Sequence, residues 1–286
     1  MTKKLCIITG ANSGIGKQAA IQIAAQGYQV IIGCRNKERG EVALNEIKEI
    51  SKSDNVELIL LDMGLKSSIL AFSNTIKEKY EKVDVLIHNA AVFDIAQKSI
   101  IVTSEGYETI WMTNHIGPVY LTELLLDLLK KSDDPRILTV SSKGLLAMPM
   151  LKVDLVDPEF KTGKFSVNKA YYQSKLAQVM FTYWLARELK ADAISVNSIR
   201  VPAVQVDISR HPGISPFMKW VYQQKSKKSI TPSTMAEAYT FLATNPGIKG
   251  VSGKYFDENN QEVKSNKYTS NWDNINDVIK LTKKYL

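Results

Sequence analysis

The chain has 286 residues, 44% of them hydrophobic and 23% charged, which suits a globular protein able to bury a sizeable core. Its two cysteines, Cys6 and Cys34, argue against a disulfide scaffold, and no apolar run approaches the roughly 18 to 20 residues that a membrane helix needs. The net charge of +8 would draw anions, but the lysines are spread along the chain and no nucleic-acid-binding module accompanies them, so they read as a solvated surface with no nucleic-acid partner.

Apolar runs and helical periodicities alternate along the chain. Residues 5–9 read as a strand, 15–26 as a helix, 29–33 as a second strand and 37–50 as a charged helix. Strand 56–61, helix 67–79 and strand 83–88 follow. One long helix is expected within 105–131, a fifth strand at 136–141, a long helix at 168–190, a sixth strand at 194–199 and a last at 251–256. Short, nearly continuous apolar strands separated by helices mark a parallel sheet covered on both faces. Right-handed crossovers then give a doubly wound α/β (Rossmann) fold. No repeat or linker interrupts the pattern, so residues 1–286 are read as a single domain. Residues 205–233, with Pro212, Pro216 and Pro232 among aromatic and basic side chains, are read as an irregular excursion.

Between the first strand and the first helix lies Thr9-Gly10-Ala11-Asn12-Ser13-Gly14-Ile15-Gly16. Glycine permits a sharp turn and lets backbone approach a pyrophosphate, while the helix N-terminus offers free N–H groups and partial positive charge. Dinucleotide folds of this kind often place a carboxylate at the end of the second strand to hold a ribose 2′-hydroxyl. Here that place reads Gly33-Cys34-Arg35-Asn36, and Arg35 can instead pair a 2′-phosphate bidentately, with Lys17 nearby as added charge. NADP(H) is therefore the expected cofactor, with NAD(H) as the second candidate.

Tyr171 and Lys175 are four residues apart in a predicted helix and would share one face. A phenol beside an ammonium is a proton donor, and the positive charge is expected to lower the phenol pKa from about 10. The neighbouring Tyr172 is the competing tyrosine. Asn114, inside the long helix of 105–131, either bends that helix or is exposed.

The glycine loop with the Tyr–Lys pair resembles the short-chain dehydrogenase/reductases, whose motifs are T-G-x-x-x-G-x-G and Y-x-x-x-K. The runs 10–17, 113–117, 171–177 and 250–256 are similar to the branch of retinol dehydrogenases and related carbonyl reductases. The resemblance implies a cofactor site made of Gly10, Asn12, Ser13, Gly14, Ile15, Gly16, Arg35, Asp62, Met63, Asn89, Ala90, Ala91, Tyr171 and Lys175. In it Asp62 faces the adenine and Met63 offers its backbone, although Asp62 also reads as a helix N-cap. It implies a catalytic set of Asn114, Ser142, Tyr171 and Lys175, with Ser141 turned into the sheet. Tyr171 would donate or accept the proton, Ser142 orient the substrate oxygen, Lys175 hold the nicotinamide ribose and Asn114 complete a proton relay. No metal is expected.

Three departures from the family pattern stand out. His88-Asn89-Ala90-Ala91 replaces N-N-A-G, Val201-Pro202-Ala203 stands at the usual Pro-Gly, and Val206 stands at a usual Thr. Ser142 and Tyr171 lie 29 residues apart, so residues 143–169 are expected to form a loop at the active-site mouth. That loop favours a monomer or homodimer. The expected function is an NADP(H)-dependent interconversion of carbonyl and alcohol on a lipophilic small molecule, retinal-, steroid-, fatty aldehyde- or xenobiotic-like. The alternative is a non-catalytic NADP-binding sensor or scaffold. Residues 210–211 and 217–222 suggest an apolar substrate lid, with peripheral membrane contact left open. With no leader-like pattern at its start, a cytoplasmic location is expected.

Overall fold

The computed structural model describes residues 3–205 and 229–286. Seven strands form one parallel sheet in the order β3-β2-β1-β4-β5-β6-β7. They are β1 (Leu5–Thr9), β2 (Gln29–Cys34), β3 (Val56–Leu60), β4 (Val85–His88), β5 (Arg136–Ser142), β6 (Ser195–Val201) and β7 (Tyr255–Phe256). The helices between them are α1 (Gly14–Ala25), α2 (Lys37–Ser51), α3 (Lys66–Lys79), α4 (Thr109–Trp111), α5 (Gly117–Leu129), α6 (Val167–Glu188), α7 (Pro232–Thr244) and α8 (Trp272–Thr282).

Alternate strand residues feed two separate cores, as the two-residue period of a strand requires. Leu5, Ile7, Ile31, Leu86, Ile137 and Val196 face the core under α3, α5, α6 and α8. Cys6, Ile8, Val30, Ile32, Ile87 and Ile199 face the core under α1, α2 and α7. A sheet buried on both sides explains why the strands read as unbroken apolar runs.

Several boundaries differ from the sequence reading. The long helix of 105–131 begins at Thr109, because residues 102–108 form a tight turn closed by the Val102–Glu108 bridge. It is also not one α-helix: Met112–Ile116 is wound as a π-turn between α4 and α5. Glu105, expected inside the helix, instead accepts from Lys66 N at 2.7 Å and Ser67 N at 3.0 Å at the start of α3. The strand of 251–256 is only two residues long. The Asn197 side chain replaces the ladder there, donating to Val251 O and accepting from Lys254 N. Helices α7 and α8 are absent from the sequence reading. Pro232, assigned to the irregular excursion of 205–233, opens α7. The excursion's two ends meet through the Val204–Ile230 bridge, while residues 206–228, including the expected aromatic lid, lie outside the described residues. Among the described residues, no helix is long and apolar enough to cross a membrane.

Two buried histidines set an acid limit on the fold. His88 Nε2 meets Thr122 Oγ1 at 2.7 Å, and His115 Nε2 meets Thr282 Oγ1 at 2.7 Å. Burial pulls both pKa values down to about 3, whereas unfolded histidine protonates near 6.5. Between those values the unfolded chain binds more protons, so stability is full above about pH 6.5 and declines as pH falls toward 3. The urea midpoint should fall between pH 6.5 and 5, by up to about 1.4 kcal/mol per pH unit for each histidine. The slope should be shallower in His115→Leu.

Candidate active site

The site forms where the sheet reverses its order, between β1 and β4. Asn89, just past β4, donates from Nδ2 to Thr9 O at 2.9 Å and Gly10 O at 3.2 Å, and Ala90 N donates to Thr9 Oγ1 at 3.0 Å. These bonds press the end of β4 against the β1–α1 loop. Gly10 has φ +67°, and a Cβ there would sit 2.8 Å from Ala90 Cα; a Cβ on Gly16 would strike Asn89 Nδ2. Only glycine fits either place. Among the described residues no side chain caps α1, whose first turn contains no acid. Its N-terminal amides and dipole therefore suit a phosphate.

A cleft of about 360 Å³ opens above this loop. It is lined by Gly10, Asn12, Ser13, Gly14, Arg35, Asp62, Met63, Asn89, Ala90 and Ala91, which the sequence grouped as cofactor-binding. Ile15 packs against the core behind it, and Gly16 is buried there. Asp62 is not a helix cap: α3 starts four residues later, and Asp62 Oδ1 accepts from Gly64 N at 2.8 Å in a local turn. Ala91 does not adopt a left-handed φ, so its backbone does not require the family's glycine. Lys17, expected to add charge, pairs with Glu46 instead.

Arg39 also lines the cleft and was missed in the sequence. It sits in the first turn of α2, where Asn36 Oδ1 accepts from its N–H at 2.8 Å. Two guanidiniums thus meet the positive end of a helix, an arrangement that an anion stabilises. The signal was present in the sequence as a second arginine four residues after Arg35, in the first turn of the helix that follows.

The expected catalytic residues, including Tyr171 and Lys175 that the sequence also grouped with the cofactor site, are not among the residues that line this cleft. Ser142 ends β5 and its Oγ accepts from Gly144 N at 3.1 Å. Ser141 is turned away, as expected, with its hydroxyl on Lys175 O at 3.2 Å. Tyr171 packs against Phe93 with ring centroids 4.4 Å apart and the planes tilted by 37°, whereas Tyr172 packs against Gly144. Lys175 is 2% exposed and donates from Nζ to Val140 O at 2.9 Å. The ammonium lies 5.7 Å from the Tyr171 ring centroid. Burial lowers its pKa to about 8. The phenol behaves differently from the sequence expectation: burial and Tyr172 push the Tyr171 pKa up, and the Ser142 hydroxyl draws it back only in part. Desolvation of the anion is the largest cause.

Asn114 is neither exposed nor a simple bend. It is 1% exposed within the π-turn. Its Oδ1 accepts from Val92 N at 2.7 Å, and its Nδ2 donates to Val92 O at 3.0 Å and Ser174 Oγ at 3.2 Å. Val92 lines the cleft and Ser174 stands between Tyr171 and Lys175, so Asn114 ties the cleft to α6. Pro202 and Ala203 directly follow β6, whose last residue Val201 is paired with Ser142. Val206 lies outside the described residues. Among the described residues, no cluster of His, Cys, Asp or Glu could hold a metal ion. Asn114→Ala should strand the Val92 amide and carbonyl and cost about 1–3 kcal/mol in urea unfolding, with loss of activity beyond that explained by unfolding.

Residues 4–152 match the short chain dehydrogenase family. Retinol dehydrogenase 13 of Homo sapiens is 36% identical over 263 residues, which is 89% of this chain and 76% of that protein. Retinol dehydrogenase 14 of Homo sapiens is 34% identical over 278 residues, covering 92% and 80%. A crystal structure of an uncharacterized protein from Mycobacterium paratuberculosis matches with a TM-score of 0.72 at 25% identity, covering 99% of this chain and 93% of that one. A short chain dehydrogenase from Escherichia coli CFT073, complexed with NADPH, shares the fold at TM-score 0.66 and 24% identity, over 90% and 97% of the two chains. The chain belongs to the short-chain dehydrogenase family of oxidoreductases, which act between alcohol and carbonyl, on the branch of its retinol dehydrogenase relatives.

Proposed function

We propose that this protein is an NADP(H)-dependent oxidoreductase that interconverts a carbonyl and an alcohol on a lipophilic small molecule, with Tyr171 as proton donor and acceptor. The observation that carries this reading is the face of α6 on which Tyr171 stands beside a buried Lys175, with Ser142 acting on the same phenol. The glycine cradle, the open N-terminus of α1 and the Arg35–Arg39 pair fit a dinucleotide with a 2′-phosphate. When bound, the nicotinamide supplies or accepts the hydride. The relatives' names support a lipophilic substrate.

The protein's own residues do the rest. Ser142 hydrogen-bonds the substrate oxygen and orients it. Tyr171, held neutral by its apolar surroundings, gives its proton to that oxygen as negative charge develops there. Lys175 stabilises the phenolate left behind, and does so only while it is an ammonium. In the alcohol-oxidising direction the same phenol takes the proton back. Asn114 keeps the two halves of the site in register.

The first test is NADPH oxidation at 340 nm with all-trans-retinal and a panel of aldehydes and ketones. Tyr171→Phe should lower kcat by about 10²-fold or more. Carbonyl reduction should decline as pH rises through about 8, because Lys175 then loses its charge. NADPH binding without turnover on any substrate, with Tyr171→Phe indistinguishable from wild type, would leave the sensor reading instead. For the cofactor, Arg35→Asp with Arg39→Asp should reverse the preference for NADPH over NADH, read as the ratio of kcat/KM values. An unchanged ratio would remove the 2′-phosphate assignment.

A further inference from the structure

A second cavity, of about 640 Å³, is lined by the C-terminal part of α6, by β7 with the loop after it, and by the start of α8. It shares no lining residue with the cofactor cleft. Tyr183, on its wall, is twelve residues along α6 from Tyr171, about 18 Å at the helical rise. The cavity therefore stands apart from the expected chemistry.

Its lining combines rings with positive charge. Tyr255 and Ile275 are buried and supply apolar surface. Trp272, the first residue of α8, is 40% exposed, and the Arg187 guanidinium lies 3.9 Å from its ring centroid. An open tryptophan paired with an arginine at a cavity edge is surface that a ligand would cover. Lys264 and Lys267 line the same cavity, and among the described residues neither ammonium has a carboxylate partner. Arg187 has only a loose one, Glu188 at 3.7 Å. The one acid in the lining, Glu262, is held by Lys254 at 3.0 Å. The wall that carries the lysines is fixed by its own hydrogen bonds. Val263 N donates to Tyr255 O at 2.7 Å, and Asn266 Oδ1 accepts from Thr269 N at 2.9 Å and from Thr269 Oγ1 at 3.0 Å.

We propose that this cavity is a second ligand site, for an anionic amphiphile. The head, a carboxylate or phosphate, lies among Arg187, Lys264 and Lys267, and the aliphatic or aromatic body lies against Tyr183, Trp272 and Ile275. The volume suits a small molecule. An anion relieves the repulsion among three unmatched cations. Arg187 is already oriented by its ring contact, so it loses little freedom on binding. An inorganic anion alone would leave Trp272 uncovered, and a neutral amphiphile would leave the cations unpaired.

The test is titration of the full chain with decanoate and with decyl phosphate below their micellar concentrations, by calorimetry and tryptophan fluorescence. Decanol and inorganic phosphate are the controls. At least one of the two anionic amphiphiles should bind, with a fluorescence change that is lost in Trp272→Phe. Its affinity should fall about tenfold in the double variant Lys264→Glu, Lys267→Glu, and several-fold when salt is raised from about 50 to about 500 mM. Saturating NADPH should leave it unchanged, because the two cavities share no residue. Tyr171→Phe should leave it unchanged as well, so this proposal and the proposed function fail separately. Absence of binding by both anionic amphiphiles overturns the proposal. So does decanol binding as tightly as they do, inorganic phosphate binding as tightly as decyl phosphate, or displacement by NADPH. If the double variant does not fold, Arg187→Gln and the salt dependence decide.

Discussion

The Asn89 amide is the clamp on which the site depends. Successive strands run outward from β1 through β2 to β3, then the chain crosses back and continues from β4 in the other direction. At that reversal the connections from the two paired strands leave in opposite directions, and a crevice opens beyond their ends. Asn89 holds them by reaching across to two carbonyls of the β1–α1 loop. The glycines at 10 and 16 follow from this closeness, because backbone and amide already occupy the space that their side chains would need. The open N-terminus of α1, the cleft and the two arginines then take their places around a fixed loop.

A second clamp, Asn114, carries that order to the chemistry. The π-turn places its side chain on Val92 and Ser174 at once. One residue thereby sets the distance between the cleft and α6. Around it, burial outweighs nearby charge. It raises the Tyr171 phenol, lowers the Lys175 amine and keeps His88 and His115 neutral. In the proposed reaction, a phenol that stays neutral at neutral pH would be the proton donor, and an amine close to losing its proton would set how well the resulting phenolate is stabilised.

Much of this was legible in the sequence because it is local. The glycine loop lies within eight residues, and the Tyr–Lys pair within one helical turn. Arg35 was legible for the same reason, and Arg39 could have been. What escaped depends on contacts between distant segments. Glu105 was assigned to a helix, yet it serves the start of α3, 39 residues away in sequence. Asn114 looked like an exposed or bending residue because nothing near it in sequence identifies Val92 or Ser174 as partners. Lys17 looked free because Glu46, 29 residues on, was out of view. The charge at Lys175 was expected to govern Tyr171, but the depth at which both lie is a property of the folded state.

The sequence by itself determined the alternation of strands and helices, the glycine loop between β1 and α1 and the placement of Tyr171 and Lys175 on one helical face, because each rests on a period or a spacing that backbone geometry imposes. The tertiary structure alone decided which arginines line the cleft, which partners the Asn114 side chain reaches, and the direction in which burial moves each titrating group. Those outcomes depend on which surfaces meet and how much water they exclude, and neither quantity is written in the spacing of residues along the chain.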